Sequence, residues 1–216
     1  QAESFLFFSS SEIYGDPDQA HVPTPETYRG NVACIGPRAC YDESKRLTET
    51  LCHTYATRYG VPVKIVRPFN VYGPGQGFEW VVPIFIQKVL NNEAPVVFGD
   101  GSQVRCFTYI ADVVSGITKV MKKGSKGEAY NIANNEPITM KELAELIIGV
   151  SGKSLKLKIK EFGTETRTKK REIMRRIPSI EKLKALGWNP KVGIQEGIKR
   201  TYRWYKENLG KEELFY

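Results

Sequence analysis

YDESKRLTETLCHTYATRYGVPVKIVRP, residues 41–68, is the stretch that decides the fold. Leu47, Leu51 and Tyr55 recur every four positions, which is one face of an α-helix, and Gly60 stands where a helix C-cap favours glycine. VPVKIVRP (61–68) then alternates valine and isoleucine with other residues up to a proline, the pattern of a strand. Upstream, SFLFFSSSEIYG reads as a buried strand over residues 4–8 that runs into a serine-rich turn. Residues 16–40 are rich in proline, glycine and polar side chains, a loop long enough to suggest function. Strand, helix and strand at these lengths predict half of a parallel α/β sheet.

The rest of the chain extends this pattern. NVYGPGQG (70–77) is a glycine-proline turn, and VVPIFIQKVLNNE (81–93) reads as helical after Pro83, followed by a short strand in PVVFGDG. VRCFTYIADV (104–113) reads as one strand ending at Asp112, a natural N-cap for the next helix, and EAYNIAN (128–134) as another strand. Thr139 and Glu142 form a capping box for a helix running to about Val150. Ser179 is the expected cap of a short helix in IPSIEKLKALGW, and Ile194, Ile198, Tyr202 and Tyr205 line one face of a closing amphipathic helix.

The 216 residues suffice for one sizeable core, or a core and a smaller lobe, and 41% hydrophobic with 26% charged residues is ordinary for a globular protein. No apolar run approaches the ~20 residues of a membrane span, and the chain opens directly on a strand-like segment without a secretory signal. The net charge of +8 gathers in KKGSK (122–126), KSLKLKIK (153–160) and RTKKREIMRR (167–176). These stretches are interleaved with Leu, Ile and Glu and lack an aromatic platform, so they suit solvated faces and a small polyanion such as a nucleotide diphosphate better than nucleic acid. Cys34, Cys40, Cys52 and Cys106 form no CxxC pair, and His21 and His53 lie near no ligand cluster. This argues against zinc and for reduced thiols in a cytoplasmic protein.

Three segments could converge beyond the carboxyl ends of the strands: SSSE (9–12), YDESK (41–45) and RPFNVYGP (67–74). Tyr41 and Lys45 sit one helical turn apart, so the ammonium could lower the phenol's pKa and fit it to take a proton from an alcohol. Ser10 or Ser11 would bind the substrate oxygen, and Glu12 would be a second acid/base group. Taken singly, each has a plainer reading: a chance helical pair, a capping turn and a surface carboxylate.

The order and separation of SSSEIYGDP, YDESKR, GDGSQVRCFTYIADV and LGWNP resemble an extended short-chain dehydrogenase/reductase of the NAD-dependent epimerase/dehydratase superfamily, from about Phe5 to Asn208. Within it, GPRACYDESKR (36–46) resembles the UDP-glucuronate decarboxylases. The resemblance implies the C-terminal part of a Rossmann-like doubly wound parallel sheet plus a smaller α/β substrate-binding lobe. Residues 1–75 would belong to the NAD-binding domain and 76–216 mainly to the lobe, with about 100–125 returning to the first. NAD is the implied cofactor, bordered by Ser9, Tyr41, Lys45, Pro68 and Phe69. For the nucleotide sugar, Asn70 would bind the phosphates, Val82 to Phe85 and Val97–Phe98 would flank uridine, Arg105 would face the sugar or its carboxylate, and Arg176 the diphosphate.

Ser11 and Glu12 match the decarboxylase Ser-Glu pair, where 4,6-dehydratases have Asp-Glu. The implied reaction is oxidation at C4 followed by conversion of UDP-glucuronate to UDP-xylose. The alternatives are a 4-epimerase, a 4,6-dehydratase, or a non-catalytic nucleotide-sugar-binding module. The resemblance also implies a homodimer through the Tyr-Lys helix, whose Leu47, Leu51 and Tyr55 would serve that contact or the core; no membrane, nucleic acid or metal is implied. The chain departs from the decarboxylase pattern in GPGQGFEWVVP, which lacks two arginines, and at Ser179, where aspartate is usual. The family's glycine-rich first turn has no counterpart in this sequence, which resembles the C-terminal two-thirds of such an enzyme.

Overall fold

The computed structural model describes residues 2–36, 39–162 and 173–210. Pro37 and Arg38, and residues 167–172 of the last basic stretch, lie outside the described residues. Along the chain run β1 (Phe5–Phe8), a 3-10 turn at Ser11–Tyr14, α1 (Ala39–Arg58), β2 (Val63–Pro68), β3 (Val71–Tyr72), α2 (Val81–Leu90) and β4 (Val96–Phe98). Next come β5 (Val104–Cys106), β6 (Thr108–Tyr109), α3 (Ile110–Lys123), β7 (Ala129–Ile132), β8 (Pro137–Thr139) and α4 (Met140–Ser151). β9 (Lys158–Lys160), β10 (Arg175–Arg176), α5 (Glu181–Lys184) and α6 (Ile194–Asn208) complete it.

The first sheet is parallel, in the order β1-β2-β7, with Phe5 opposite Val63 and Ile65 opposite Ala129. Its central strand is covered on both faces, which explains its apolar run. Val63 and Ile65 pack against Cys52 and Ala56 of α1, while Val66 joins Val113 and Val120 of α3 and Leu183 of α5. β7 and α5 thus pack with the first sheet, as α3 does. A separate cluster gathers α2, α4 and α6 around Tyr72, Val97, Phe107 and Tyr109. Beside it lie the mixed sheet β10-β5-β8 and the parallel pairs β3-β6 and β4-β9.

Local chemistry explains most of the element ends. Gly60 has φ +73 just past α1, and the Val61 N–H closes onto the Tyr55 carbonyl (3.2 Å). The Thr139–Glu142 capping box forms at the start of α4. Gly15 has φ +60 where the chain passes Asn31, and a Cβ there would strike the Asn31 carbonyl.

Several expectations need correction. β1 is an edge strand with Phe5 and Phe8 exposed, not a buried one. α2 begins at Val81, with Pro83 in its first turn, where proline's missing N–H costs no helical bond. Residues 104–113 are two short strands and a helix start, and Asp112 lies inside α3 instead of capping it. The Asp112 carboxylate accepts from the N–H groups of Lys191 (3.0 Å) and Val192 (2.8 Å), tying α3 to the segment before α6. Ser179 does not cap α5, whose N-cap is Ile180; its carbonyl is taken by Asn131. The stripe of Leu47 (61% exposed), Leu51 (48%) and Tyr55 (52%) faces outward, because the narrower Cys52 and Ala56 are what seat α1 on β2. Among the described residues, no helix is long and apolar enough to cross a membrane.

Candidate active site

The Ser9 N–H extends the first sheet by donating to the Val66 carbonyl (2.8 Å). Ser10 then leaves the strand at φ −155 and caps the 3-10 turn, its hydroxyl accepting from the Glu12 N–H (3.2 Å). Ser11 is buried within that turn.

Helix α1 is docked on this turn by its own polar side chains. Lys45 Nζ donates to the Phe8 carbonyl (2.9 Å), and Arg46 Nη1 donates to the carbonyls of Ile13 (3.0 Å) and Arg29 (2.8 Å). Lys45 Nζ also lies 5.3 Å from the Phe7 ring centroid and 5.7 Å from that of Tyr41, which is exposed one turn earlier. Tyr41 and Lys45 therefore stand beside the end of β1, where the Ser9–Glu12 turn begins.

Glu12 and Arg176, assigned separate roles on sequence grounds, meet directly. Arg176 Nη1 donates to Glu12 Oε1 and Nη2 donates to Oε2 (3.1 Å), across 164 residues of sequence. The fork geometry of guanidinium against carboxylate makes this a two-bond clamp. The Arg176 Nε–H is buried without an acceptor among the described residues. On the neighbouring strand Arg105 is its register partner, so both arginines project from one face of the sheet. Arg105 Nη1 donates to the Val104 carbonyl (2.9 Å).

Asn70 lies in the bend between β2 and β3 with φ +26, an uncommon backbone for a residue with a side chain, and its Nδ2 donates to the Cys106 carbonyl (3.2 Å). Pro68 is half-buried. Phe69, expected beside a cofactor, has no exposed surface, and its ring centroid lies 6.0 Å from that of Tyr14. Val82, Phe85 and Val97, expected to flank a uridine, are likewise core side chains, while Phe98 is half-buried. The apolar face of a helix or strand goes to the core first, and sequence pattern cannot separate that use from ligand contact. A cavity of about 810 Å³ between α4 and β9, lined in part by Lys141, Glu145, Ile148 and Leu155, includes none of the expected residues. Among the described residues, no group of His, Cys, Asp and Glu could hold a metal ion.

Sequence reasoning missed Arg67, Glu49, Tyr14 and Asn131, which form a buried polar cluster behind the turn. An arginine directly after the buried Ile65–Val66 pair of β2 was the available signal, since a buried cation needs a partner. Burial pushes the Tyr14 phenol well above its ordinary value, so it remains a donor. Burial opposes the Arg67 charge, but the hydrogen bonds it donates to Glu49 and the nearby Tyr14 hold it above its ordinary value.

A parallel sheet covered on both faces, with a Tyr-x-x-x-Lys helix docked at a strand's carboxyl end, defines a Rossmann-like α/β protein. A family profile described as the NAD dependent epimerase/dehydratase family matches residues 1–133, and the chain belongs to that family. It is 39% identical over 207 residues to UDP-glucuronic acid decarboxylase 1 of Danio rerio, covering 94% of this chain and 47% of that protein. It is 40% identical over 208 residues to UDP-glucuronic acid decarboxylase 5 of Arabidopsis thaliana, covering 95% of this chain and 58% of that one. The chain thus spans about half the length of the curated relatives it matches. Among solved structures, a UDP-glucose 4-epimerase of Thermotoga maritima with UDP-glucose superposes with a TM-score of 0.85 at 32% identity, over 96% of this chain and 65% of that one. A dTDP-glucose 4,6-dehydratase of Streptomyces venezuelae with NAD and TYD bound gives 0.82 at 28%, over 98% and 62%.

Proposed function

We propose that this chain carries the proton-transfer and nucleotide-sugar-binding part of an NAD-dependent enzyme that converts UDP-glucuronate to UDP-xylose. The observation that carries the reading is the hydrogen bond from Lys45 to the Phe8 carbonyl (2.9 Å), which holds the Tyr41–Lys45 helix against the turn that bears Ser10 and Glu12. The decarboxylase names of the relatives support it, as does Ser11, where dehydratases have aspartate.

Tyr41, Lys45, Ser9 and Pro68 would hold the nicotinamide end of NAD, and the Ser9 hydroxyl, buried with no partner among the described residues, fits that use. When bound, NAD supplies a hydride acceptor for sugar C4. Tyr41 takes the proton of the C4 hydroxyl, with the Lys45 ammonium near enough to attract the charge that develops on the phenol. Once C4 is a ketone, the C5 carboxylate is β to it, and CO₂ leaves as the bonding pair moves into the carbonyl. C5 then takes a proton, and return of the hydride to C4, with the proton passing from Tyr41 back to the C4 oxygen, completes UDP-xylose. Ser10 holds a sugar oxygen and Glu12 manages protons at the ring. Arg105 faces the carboxylate, Asn70 the phosphates, and the remaining Arg176 N–H an anionic group of the substrate.

The test is to incubate the full open reading frame containing this chain with NAD and UDP-glucuronate labelled at C6. Release of labelled CO₂ with UDP-xylose as product is expected. UDP-galacturonate without CO₂ would instead mark a 4-epimerase.

One observation favours a second reading, a nucleotide-sugar-binding module without turnover: the exposed β1 edge, with Phe5 and Phe8 bare, suits pairing with other chain. Calorimetry separates the two, since UDP binding without NAD binding by the 216 residues favours the module. We also propose that the outward stripe of Leu47, Leu51 and Tyr55 joins two copies of the chain. Leu51→Lys should then shift its sedimentation to that of a monomer.

A further inference from the structure

Arg67 is buried near the carboxyl end of β2 and spends its guanidinium on three segments of chain. Nε and Nη2 donate to the two oxygens of Glu49 (2.9 and 2.6 Å), while Nη1 donates to the Tyr14 hydroxyl (2.7 Å) and the Glu26 carbonyl (2.9 Å). The Tyr14 hydroxyl in turn donates to Asn131 Oδ1 (2.8 Å). Asn131 is fully buried, and its Nδ2 donates to the carbonyls of Thr24 (3.0 Å) and Ser179 (2.9 Å), while Glu26 Oε1 accepts from its N–H (2.9 Å).

The positions of these residues matter more than their number. Glu49 lies one helical turn after Lys45 on α1. Tyr14 closes the 3-10 turn that carries Glu12, and Ser179 follows Arg176 by three residues. The cluster therefore touches all three segments that bring the candidate chemistry together, each from behind. The strap at Thr24 continues it, with the Thr24 N–H donating to the Ile177 carbonyl (2.8 Å) and the Ser179 N–H to the Thr24 carbonyl (2.9 Å). Buried ion pairs of this kind add little net stability over a well-packed apolar core, but they fix a unique arrangement because each bond has a direction.

We propose that Tyr14, Arg67 and Asn131 are positioning residues that hold the Tyr41–Lys45 helix, the Glu12 turn and the Arg176 segment in mutual register. The idea rests on the proposed function for its catalytic consequence, though not for its structural one.

Tyr14→Phe tests it, because it deletes one oxygen and keeps the ring. By hydrogen exchange on this chain, the amides of Thr24 and Ser179 should exchange at least about tenfold faster, with those of α4 and α6 unchanged. In the intact enzyme, kcat for UDP-glucuronate should fall about tenfold or more while KM moves less than about threefold. A uniform rise in exchange, or unchanged protection at Thr24 and Ser179, overturns the proposal, as does a wild-type kcat in the variant. If the wild-type protein does not turn over UDP-glucuronate, the functional reading fails while the exchange comparison still decides this one. Should Tyr14→Phe fail to fold, Glu49→Gln carries the same comparison, read at the Lys45 end of α1.

Discussion

Replacing Arg176 by methionine removes the two-bond clamp on Glu12, and the structure sets the size of the effect. The Arg176 side chain is 9% exposed and that of Glu12 17%, so the pair is largely but not wholly shielded from water. Two unit charges 4 Å apart at an effective dielectric of 20 attract by about 4 kcal/mol, before the cost of drying them is subtracted. Removing one partner of a buried pair costs about 3–5 kcal/mol, and the residual exposure of Glu12 moves the expectation to about 2–4 kcal/mol. Glu12→Gln alone should cost a similar amount by leaving the guanidinium short of charge. The double variant should then recover a coupling energy of about 1–3 kcal/mol. Urea unfolding of the four proteins, compared at equal m-values, measures this cycle. A coupling energy below about 0.5 kcal/mol would mean that the two side chains do not meet in the free protein, and the reasoning from the clamp would fail.

Three other outcomes are expected. Gly197→Ala should destabilise by about 1–2 kcal/mol, because the new methyl would overlap the Tyr72 hydroxyl oxygen and lie 2.9 Å from its Cζ, and overpacking outweighs the ~1 kcal/mol helical gain of alanine; Gly197→Ala combined with Tyr72→Phe, which removes that oxygen, should recover much of that loss. Thiol titration of the native protein should find exposed Cys34 and Cys40 reacting quickly and buried Cys52 and Cys106 slowly, burial having pushed the Cys106 thiol up to about 12. The capping box gives a pH test: the backbone N–H of Thr139, then its hydroxyl, hold Glu142 below its ordinary value. That stabilisation is present above the unfolded carboxyl's pKa and lost as pH falls through the lower folded one. The stability gap between wild type and Glu142→Ala should therefore be constant above pH ~5 and shrink steadily below it.

Features that depend on residues within a turn of one another were legible in the sequence. The Thr139–Glu142 box, the positive φ of Gly60 and the buried face of Ile198, Tyr202 and Tyr205 all follow from local geometry and periodicity. So did the strand–helix–strand order around Tyr41 and Lys45, since the alternation of valine and isoleucine in β2 has few other uses. The same local logic misled at Asp112, whose carboxylate instead accepts from the backbone N–H groups of Lys191 and Val192, and at Ser179, whose carbonyl instead accepts from the Asn131 side chain. It also ran out at Leu47, Leu51 and Tyr55, because a stripe specifies a face but not what that face meets.

By itself, then, the sequence determined the elements, their order and the residue types at the strand ends, because those rest on backbone geometry and solvent preference within a few residues. Only the tertiary structure decided that Glu12 meets Arg176, that Lys45 reaches the Phe8 carbonyl, and that Arg67 and Asn131 tie three distant segments together. The physical reason is that a charge or hydrogen-bonding group carries no address for its partner. Which of many possible partners lies within three ångströms is fixed by the packing of β1, β2 and β7, and that packing exists only once the chain has folded.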